Sequence, residues 1–191
     1  MEKTCYKMLL HICCAPCSTH VINILKADYD LDGYFYNPNI HPESEYKLRE
    51  KEVQRYADSN NIKIIREEYD AERWFELTEG MDDLPEGDRR CDICFEMRLE
   101  RTAKYAKENG YDIIATTLSI SPHKNAKKIN EIGTKVAEKY GIKFLEADFK
   151  KKGGFERSIQ MSKQFGLYRQ SYCGCIFSKK EAEKRALSKK K

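Results

Sequence analysis

The sequence predicts an α/β domain built on a doubly wound, mostly parallel sheet of five strands, with a cysteine-bearing C-terminal segment. Three observations carry this expectation. Short apolar runs alternate regularly with stretches that have helical periodicity, and strands joined through helices form right-handed crossovers and a parallel sheet covered on both faces. There is no internal repeat and no Gly/Ser- or Pro-rich linker, and 191 residues suit a single domain spanning residues 1–191.

The elements follow in order. "KMLLHI" is the first strand, and in "STHVINILKAD" the residues Val21, Ile24, Leu25 and Asp28 have the spacing of a helix with one inward stripe. "LDGYFYN" is the second strand, closed by Asn37 and Pro38. From Pro42 to Asn61, Tyr46, Val53, Tyr56 and Ala57 recur at helical intervals, and "IKIIREEY" is the third strand. The Gly-, Pro- and Asp-containing stretch "ELTEGMDDLPEGDRR" is expected to be a surface loop. "CFEMRLERTAKYAKENG" places Phe95, Leu99, Ala103 and Ala106 on one helix face and stops at Gly110. "YDIIATTLS" is the fourth strand. "NAKKINEIGTKVAEKYG" is the clearest helix, with Ile129, Ile132, Val136 and Tyr140 ahead of Gly141; "IKFLEAD" is the fifth strand, and a last helix runs from about Gly154 to Phe165 before the cysteine-bearing tail.

Composition narrows the class of function. The content of 40% hydrophobic residues is that of a globular protein, and 35 basic against 31 acidic residues, net +4, permit a polyanionic partner without requiring one. No window approaches the run of about 20 apolar residues that spans a bilayer, and the N-terminal "MEKTCYKMLL" lacks the long apolar stretch of a signal peptide, so a cytoplasmic protein without membrane attachment is expected. In that compartment thiols stay reduced, and the eight cysteines point to metal binding or catalysis more than to disulfides.

The cysteines fall into groups. Cys13, Cys14 and Cys17 follow the first strand, where nucleotide-binding α/β proteins usually carry glycines so that backbone amides can approach phosphate. Ligands of open α/β sheets bind outside the carboxyl ends of the strands, so thiols here suggest soft-metal chemistry at the binding edge. Cys91 and Cys94 begin a helix, where its amides and Arg89, Arg90 and Arg98 favour thiolates. Cys173 and Cys175 flank Gly174. Cys14 and Cys17 with Cys91 and Cys94 have the spacing of a structural zinc knuckle pair, and Cys14 and Cys17 alone that of a redox dithiol. An iron–sulfur cluster accounts better for the number of cysteines, since a cubane takes three or four thiolates and leaves others for a second metal or the substrate. Cys5 precedes the first strand and stands apart; His11, within the strand, fits a core histidine better than a ligand.

The stretches "HICCAPCS", "NPNIHPESEYKLR", "RRCDICFEMRL", "TTLSISPHKN" and "ADFKKKGGFERSIQMSKQFGLYRQSYCGC" together resemble the QueH-type, cobalamin-independent epoxyqueuosine reductases of queuosine biosynthesis. The likeness covers nearly the whole chain. It implies a fold similar to the nucleotide α-hydrolase type and an oxidoreductase that removes the epoxide oxygen of epoxyqueuosine at the wobble position of tRNA. It also implies a [4Fe–4S] cluster held by three cysteines, with a second, mononuclear iron nearby held by cysteine and a carboxylate. Where ATP-using relatives carry an SGGxDS-like loop, this chain has "CCAPCS", so ATP chemistry is not expected.

On this resemblance the metal pool is Cys13, Cys14, Cys17, Cys91, Cys94, Cys173 and Cys175, undivided between the two sites. Asp148, taken to close the fifth strand, is the candidate carboxylate, and Cys13 and Asp148 are the catalytic candidates; a lysine partner for Asp148 is the competing reading. Asp92 is a weaker candidate. A tRNA partner calls for phosphate contacts and base stacking, for which the sequence offers Lys150, Lys151, Lys152, Arg169 and Tyr172, with Tyr36, Asn37 and His41 to frame an extruded base. An unidentified electron donor is required. A zinc-stabilised RNA-binding module without catalysis is the alternative of another class.

Overall fold

Five parallel strands form one sheet: β1 (Lys7–His11), β2 (Asp30–Phe35), β3 (Ile64–Arg66), β4 (Ile113–Thr116) and β5 (Lys143–Phe144), in the order β3-β2-β1-β4-β5. The structure is a computed structural model, described over residues 5–188. Among the described residues seven helices accompany the sheet: α1 (Ala15–Leu25), α2 (Glu43–Asp58), α3 (Ala71–Leu77), α4 (Arg89–Glu108), α5 (Ala126–Tyr140), α6 (Gly154–Gln164) and α7 (Ile176–Ser188). The α/β class and the parallel five-stranded sheet are those the sequence predicts.

Because both faces of a parallel sheet are covered, its strands are apolar on both sides. Met8, Leu10, Phe35 and Ala115 point into one core with Ile22 and Val53, while Leu9, Tyr34 and Ile114 point into another with Leu99, Ala103 and Val136. The first core lies under α1 and α2, with α6 packed on α1, and the second under α4 and α5. Among the described residues no helix is long and apolar enough to cross a membrane.

Several boundaries differ from expectation. Helix α1 begins three residues before "STHVINILKAD", and Ala15, Val21, Ile22 and Leu25 enter the core; Ile24, placed on the inward row by the sequence, is 38% exposed. Both edge strands are short: β3 stops at Arg66, and β5 has two residues, after which only the Leu145 amide reaches the ladder, at 2.9 Å from the Ile114 carbonyl. Strand β4 ends at Thr116, and Thr117–Ile120 form a 3₁₀ turn. Helix α3 has no counterpart in the sequence reading. Its start is capped by Asp70, which accepts from the Arg73 amide at 3.2 Å, and it buries Trp74. It takes the first residues of the expected loop, and α4, capped by Asp88, takes the last.

Candidate metal centre and substrate cavity

The sheet order reverses at β1, since the chain moves from β1 to β2 on one side and reaches β4 on the other. A crevice therefore opens at the carboxyl ends of β1 and β4. Cys14 is the N-cap of α1 and Pro16 lies in its first turn, so the sequence Cys13-Cys14-Ala15-Pro16-Cys17 turns from strand to helix in that crevice. The sulfurs of Cys13, Cys14 and Cys17 all lie within 4.8 Å of one another, the one such group of potential metal ligands among the described residues. Thr117 accepts from the Cys13 amide at 3.3 Å and donates to Cys13 Sγ at 3.5 Å, while Gln170 Nε2 donates to Cys14 Sγ at 3.1 Å.

Three thiols so close cannot all ionise, and they share charge as a unit. Hydrogen bonds from Cys14 and Cys17, helped by the Lys124 charge, hold the Cys13 thiol well below its usual value. Donation to Cys13 pushes Cys14 up to about 12, and Cys17 is likewise raised well above its usual value by Cys13 and Cys14. Below them His11 is 0% exposed, with Nδ1 2.9 Å from Thr116 Oγ1 and Nε2 3.3 Å from the Tyr36 carbonyl. It is a core histidine, as the sequence suggests.

Cys91 and Cys94 stand one turn apart on α4, and with Cys173, Cys175, Asn39 and Trp74 they line a cavity of about 110 Å³. The Gly87 amide donates to Cys91 Sγ at 3.2 Å and the Ser178 amide to Cys175 Sγ at 3.4 Å. The expected arginine support for thiolates at this group is overridden by burial, which raises Cys91 and pushes Cys94 up to about 12. The guanidinium of Arg90 is taken by the carbonyls of Met81 and Leu84, at 2.7 and 2.6 Å, and Arg98 Nε donates to the carbonyl of Cys94 itself at 2.9 Å. Buried Asn39 Oδ1 and Trp74 Nε1, on two residues that border this cavity, have no hydrogen-bond partner among the described residues. All eight cysteines, exposed Cys5 included, are free. This donor set suits a soft metal.

Cys173 also borders a second cavity of about 390 Å³, together with Cys13, Cys17, Lys124, Phe155 and Arg185. Arg169 and Tyr172 line this second cavity. Asp148 lies beyond the end of β5, which stops at Phe144, and outside the trio of sulfurs; its carboxylate pairs with Lys150 at 3.1 Å and Lys151 at 3.9 Å. Lys150 also donates to the Lys124 carbonyl at 3.2 Å, whereas Lys152 is exposed. Asp92 pairs with Lys128 at 2.7 Å.

Tyr36, Asn37 and His41 are not brought to the cysteine cavities. The chain beyond β2 runs through the interior, where its polar side chains bond to neighbouring chain: Asn37 Nδ2 donates to the Ile12 carbonyl at 2.9 Å, and His41 Nδ1 lies 3.0 Å from Tyr69 Oη. Tyr36 faces a separate cavity of about 1020 Å³ with Glu67 and Arg101. Sequence reasoning passed over Lys124, Phe155, Gln170 and Arg185. Of these, Lys124 had a signal, since it sits in the turn after β4 at the binding edge.

The profile of the family described as epoxyqueuosine reductase QueH matches residues 8–181. The chain is 46% identical over 180 residues to the epoxyqueuosine reductase QueH of Staphylococcus epidermidis, a match covering 90% of this chain and 76% of the relative. Against the protein of the same name from Acinetobacter baylyi it is 42% identical over 184 residues, covering 95% of this chain and 84% of the relative. Against that of Thermotoga maritima it is 40% identical over 175 residues, 90% of this chain and 89% of the relative. With a profile match from β1 into α7 and relatives this similar along most of their length, the chain belongs to the epoxyqueuosine reductase QueH family of oxidoreductases.

Proposed function

We propose that this chain reduces epoxyqueuosine to queuosine at the wobble position of tRNA in the cytoplasm, converting the epoxide, two electrons and two protons into an alkene and water. One observation carries the reading: Cys13, Cys17 and Cys173 open onto a cavity of about 390 Å³ that is also lined by Phe155, Tyr172, Lys124, Arg169 and Arg185. Aromatic faces beside cations are what an extruded base and its phosphates require. The position, at the strand reversal of the sheet, is where this fold class binds ligands.

In this reading Cys13, Cys14, Cys17, Cys91, Cys94, Cys173 and Cys175 hold a [4Fe–4S] cluster and an adjacent iron. When bound, that assembly supplies electrons and a Lewis-acid position, as thiolate-held iron can. The chain's own residues do the rest. Phe155 and Tyr172 stack the base, while Arg169 and Arg185 hold phosphate. Lys124 balances the sulfur charge, and burial, which works against its ammonium, is outweighed by Cys173, Cys13 and Cys17. Asp148, paired with Lys150 against the Lys124 turn, remains the candidate carboxylate and proton source. Electrons enter from a separate donor.

The test is iron, zinc and acid-labile sulfide per chain in protein purified without oxygen, followed by conversion of tRNA carrying epoxyqueuosine, read by nucleoside mass spectrometry. Iron above about four per chain with about four sulfides, together with turnover, is the expected result. The four thiols around the smaller cavity also suit zinc. About one zinc per chain with neither sulfide nor turnover would replace the reductase reading with a zinc-stabilised RNA-binding module.

A further inference from the structure

Cys173 and Cys175 arrive on a segment that belongs to no helix or strand, the stretch between α6 and α7. This stretch lies along α2, and charged side chains of α2 hold its backbone. Arg55 Nη1 and Nη2 donate to the carbonyls of Phe165 and Gly166 at 3.1 and 3.0 Å, and Glu52 Oε2 accepts from the Tyr168 amide at 2.8 Å. Arg49 Nη1 and Nη2 donate to the carbonyls of Cys173 and Tyr172 at 2.8 and 3.3 Å. Residues three apart on a helix share an edge, so one edge of α2 is a rail for the whole stretch.

Arg49 differs from Arg55 in being enclosed: it is 2% exposed, and its Nε lies 2.7 Å from Glu45 Oε1. The other Glu45 oxygen accepts from the Tyr168 hydroxyl at 3.0 Å. A buried cation is tolerated only when its donors are satisfied, and here the fork is completed by two successive carbonyls of the cysteine loop. The loop is tied from its other side as well, the His41 amide donating to the Gly174 carbonyl at 2.8 Å and the Tyr172 hydroxyl to the His41 carbonyl at 2.6 Å. Gly174 has φ +144°, and a Cβ there would stand 3.3 Å from Arg49 Nη1 and 3.1 Å from Ile40 Cγ1, so chain and guanidinium approach as closely as glycine permits.

We propose that Arg49 is a positioning residue for Cys173: by bonding the carbonyls of Tyr172 and Cys173 from inside the fold, it seats the C-terminal cysteine loop at the wall shared with Cys13 and Cys17. The proposal rests on the metal-centre reading above. Arginine is required for the fork, because a lysine ammonium cannot meet Glu45 and both carbonyls with planar, fixed geometry.

The experiment compares the full-length wild type, Arg49→Gln, Arg49→Lys and Arg55→Gln, all purified without oxygen. Arg55 grips consecutive carbonyls of the same stretch away from the cysteines and controls for general loosening. The readouts are iron and sulfide per chain, the electron paramagnetic resonance spectrum after reduction, the rate at which a chelator removes iron, and the thermal midpoint. Arg49→Gln should lose iron roughly tenfold faster than wild type, with an altered spectrum, as when a residue that orients a metal ligand is removed. Arg49→Lys should fall between, and Arg55→Gln should keep the wild-type spectrum and rate whatever its thermal midpoint. A wild-type spectrum and rate in Arg49→Gln, or equal changes in Arg55→Gln, would overturn the proposal. Should Arg49→Gln fail to fold, wild-type values in Arg49→Lys overturn it equally. A wild type holding zinc without sulfide ends the reductase reading instead, and the same variants then test the seating of Cys173 by the rate of zinc release.

Discussion

Lowering pH should destabilise this protein in part through His11. It is 0% exposed, and its ring joins three strands beneath Cys13 by bonding Thr116 at the end of β4 and the Tyr36 carbonyl beyond β2. Burial, reinforced by the Arg98 charge, lowers its pKa from 6.5 to about 3. The unfolded chain therefore takes up the proton near pH 6.5, whereas the folded chain resists it down to about pH 3. The contribution to stability is complete above the unfolded value and is lost as pH falls through this window. It amounts to about 2 kcal/mol between about pH 7.5 and pH 5 and to about 5 kcal/mol over the whole window. Urea denaturation followed by circular dichroism at several pH values checks this, comparing wild type with His11→Gln in the same metal state so that contributions from the cysteine site cancel. His11→Gln should start less stable at neutral pH, from lost hydrogen bonds, and lose about 2 kcal/mol less on acidification. Parallel profiles for the two proteins would refute the reasoning.

Three further outcomes are expected. A Cβ at Gly133 of α5 would fall onto the Phe144 ring, so Gly133→Ala should cost about 1–3 kcal/mol in urea denaturation, and adding Phe144→Leu should recover part of it. On the proposed reading of Cys94 as a metal ligand, Cys94→Ser should lower iron content and reduce conversion of epoxyqueuosine tRNA by about 100-fold or more, because a ligand is less dispensable than the groups that orient it. Lys151, with a side chain 77% exposed, should contribute charge and little else. Lys151→Ala should leave the thermal midpoint unchanged and lower the salt slope of tRNA binding by about one, and an unchanged slope removes it from the contacts.

The parts of the fold legible in the sequence are those where local pattern and tertiary burial agree. Helix α5 is the example: Ile129 and Val136 are buried and Gly141 closes the helix with φ +61°, as the periodicity and the glycine suggest. The edge strands were less legible because apolar residues beyond them, Leu145 and Ala147 among them, pack on the core without joining the ladder. A pattern of buried side chains cannot distinguish those two situations. The cysteine trio was legible because a strand-to-helix turn at a sheet edge compresses five residues. The fate of Asn37 and His41 was not, since residues just past a strand can turn outward to a ligand or inward to satisfy backbone, and sequence alone does not choose. Arg49 did leave a signal: it sits on the Tyr46–Val53 stripe of α2, four residues after Glu45, which marks a charge folded inward with its partner.

The three cysteine groups differ in what carries them, and this bears on how a metal would enter. Cys13, Cys14 and Cys17 are fixed by β1 and α1, and Cys91 and Cys94 by α4, elements whose backbone bonds belong to sheet or helix. Cys173 stands on a stretch whose backbone is held instead by side chains of α2 and by the His41 amide. Ligation must expel protons from thiols such as Cys14, pushed up to about 12 by its hydrogen bond to Cys13, and Cys94, pushed up to about 12 by burial. Opening a sheet or a long helix approaches the cost of global unfolding, whereas releasing a segment tied by a few side chains does not. On the proposed reading, the stretch seated by Arg49 is the third wall of the centre, held by side chains where the other two are held by sheet and helix.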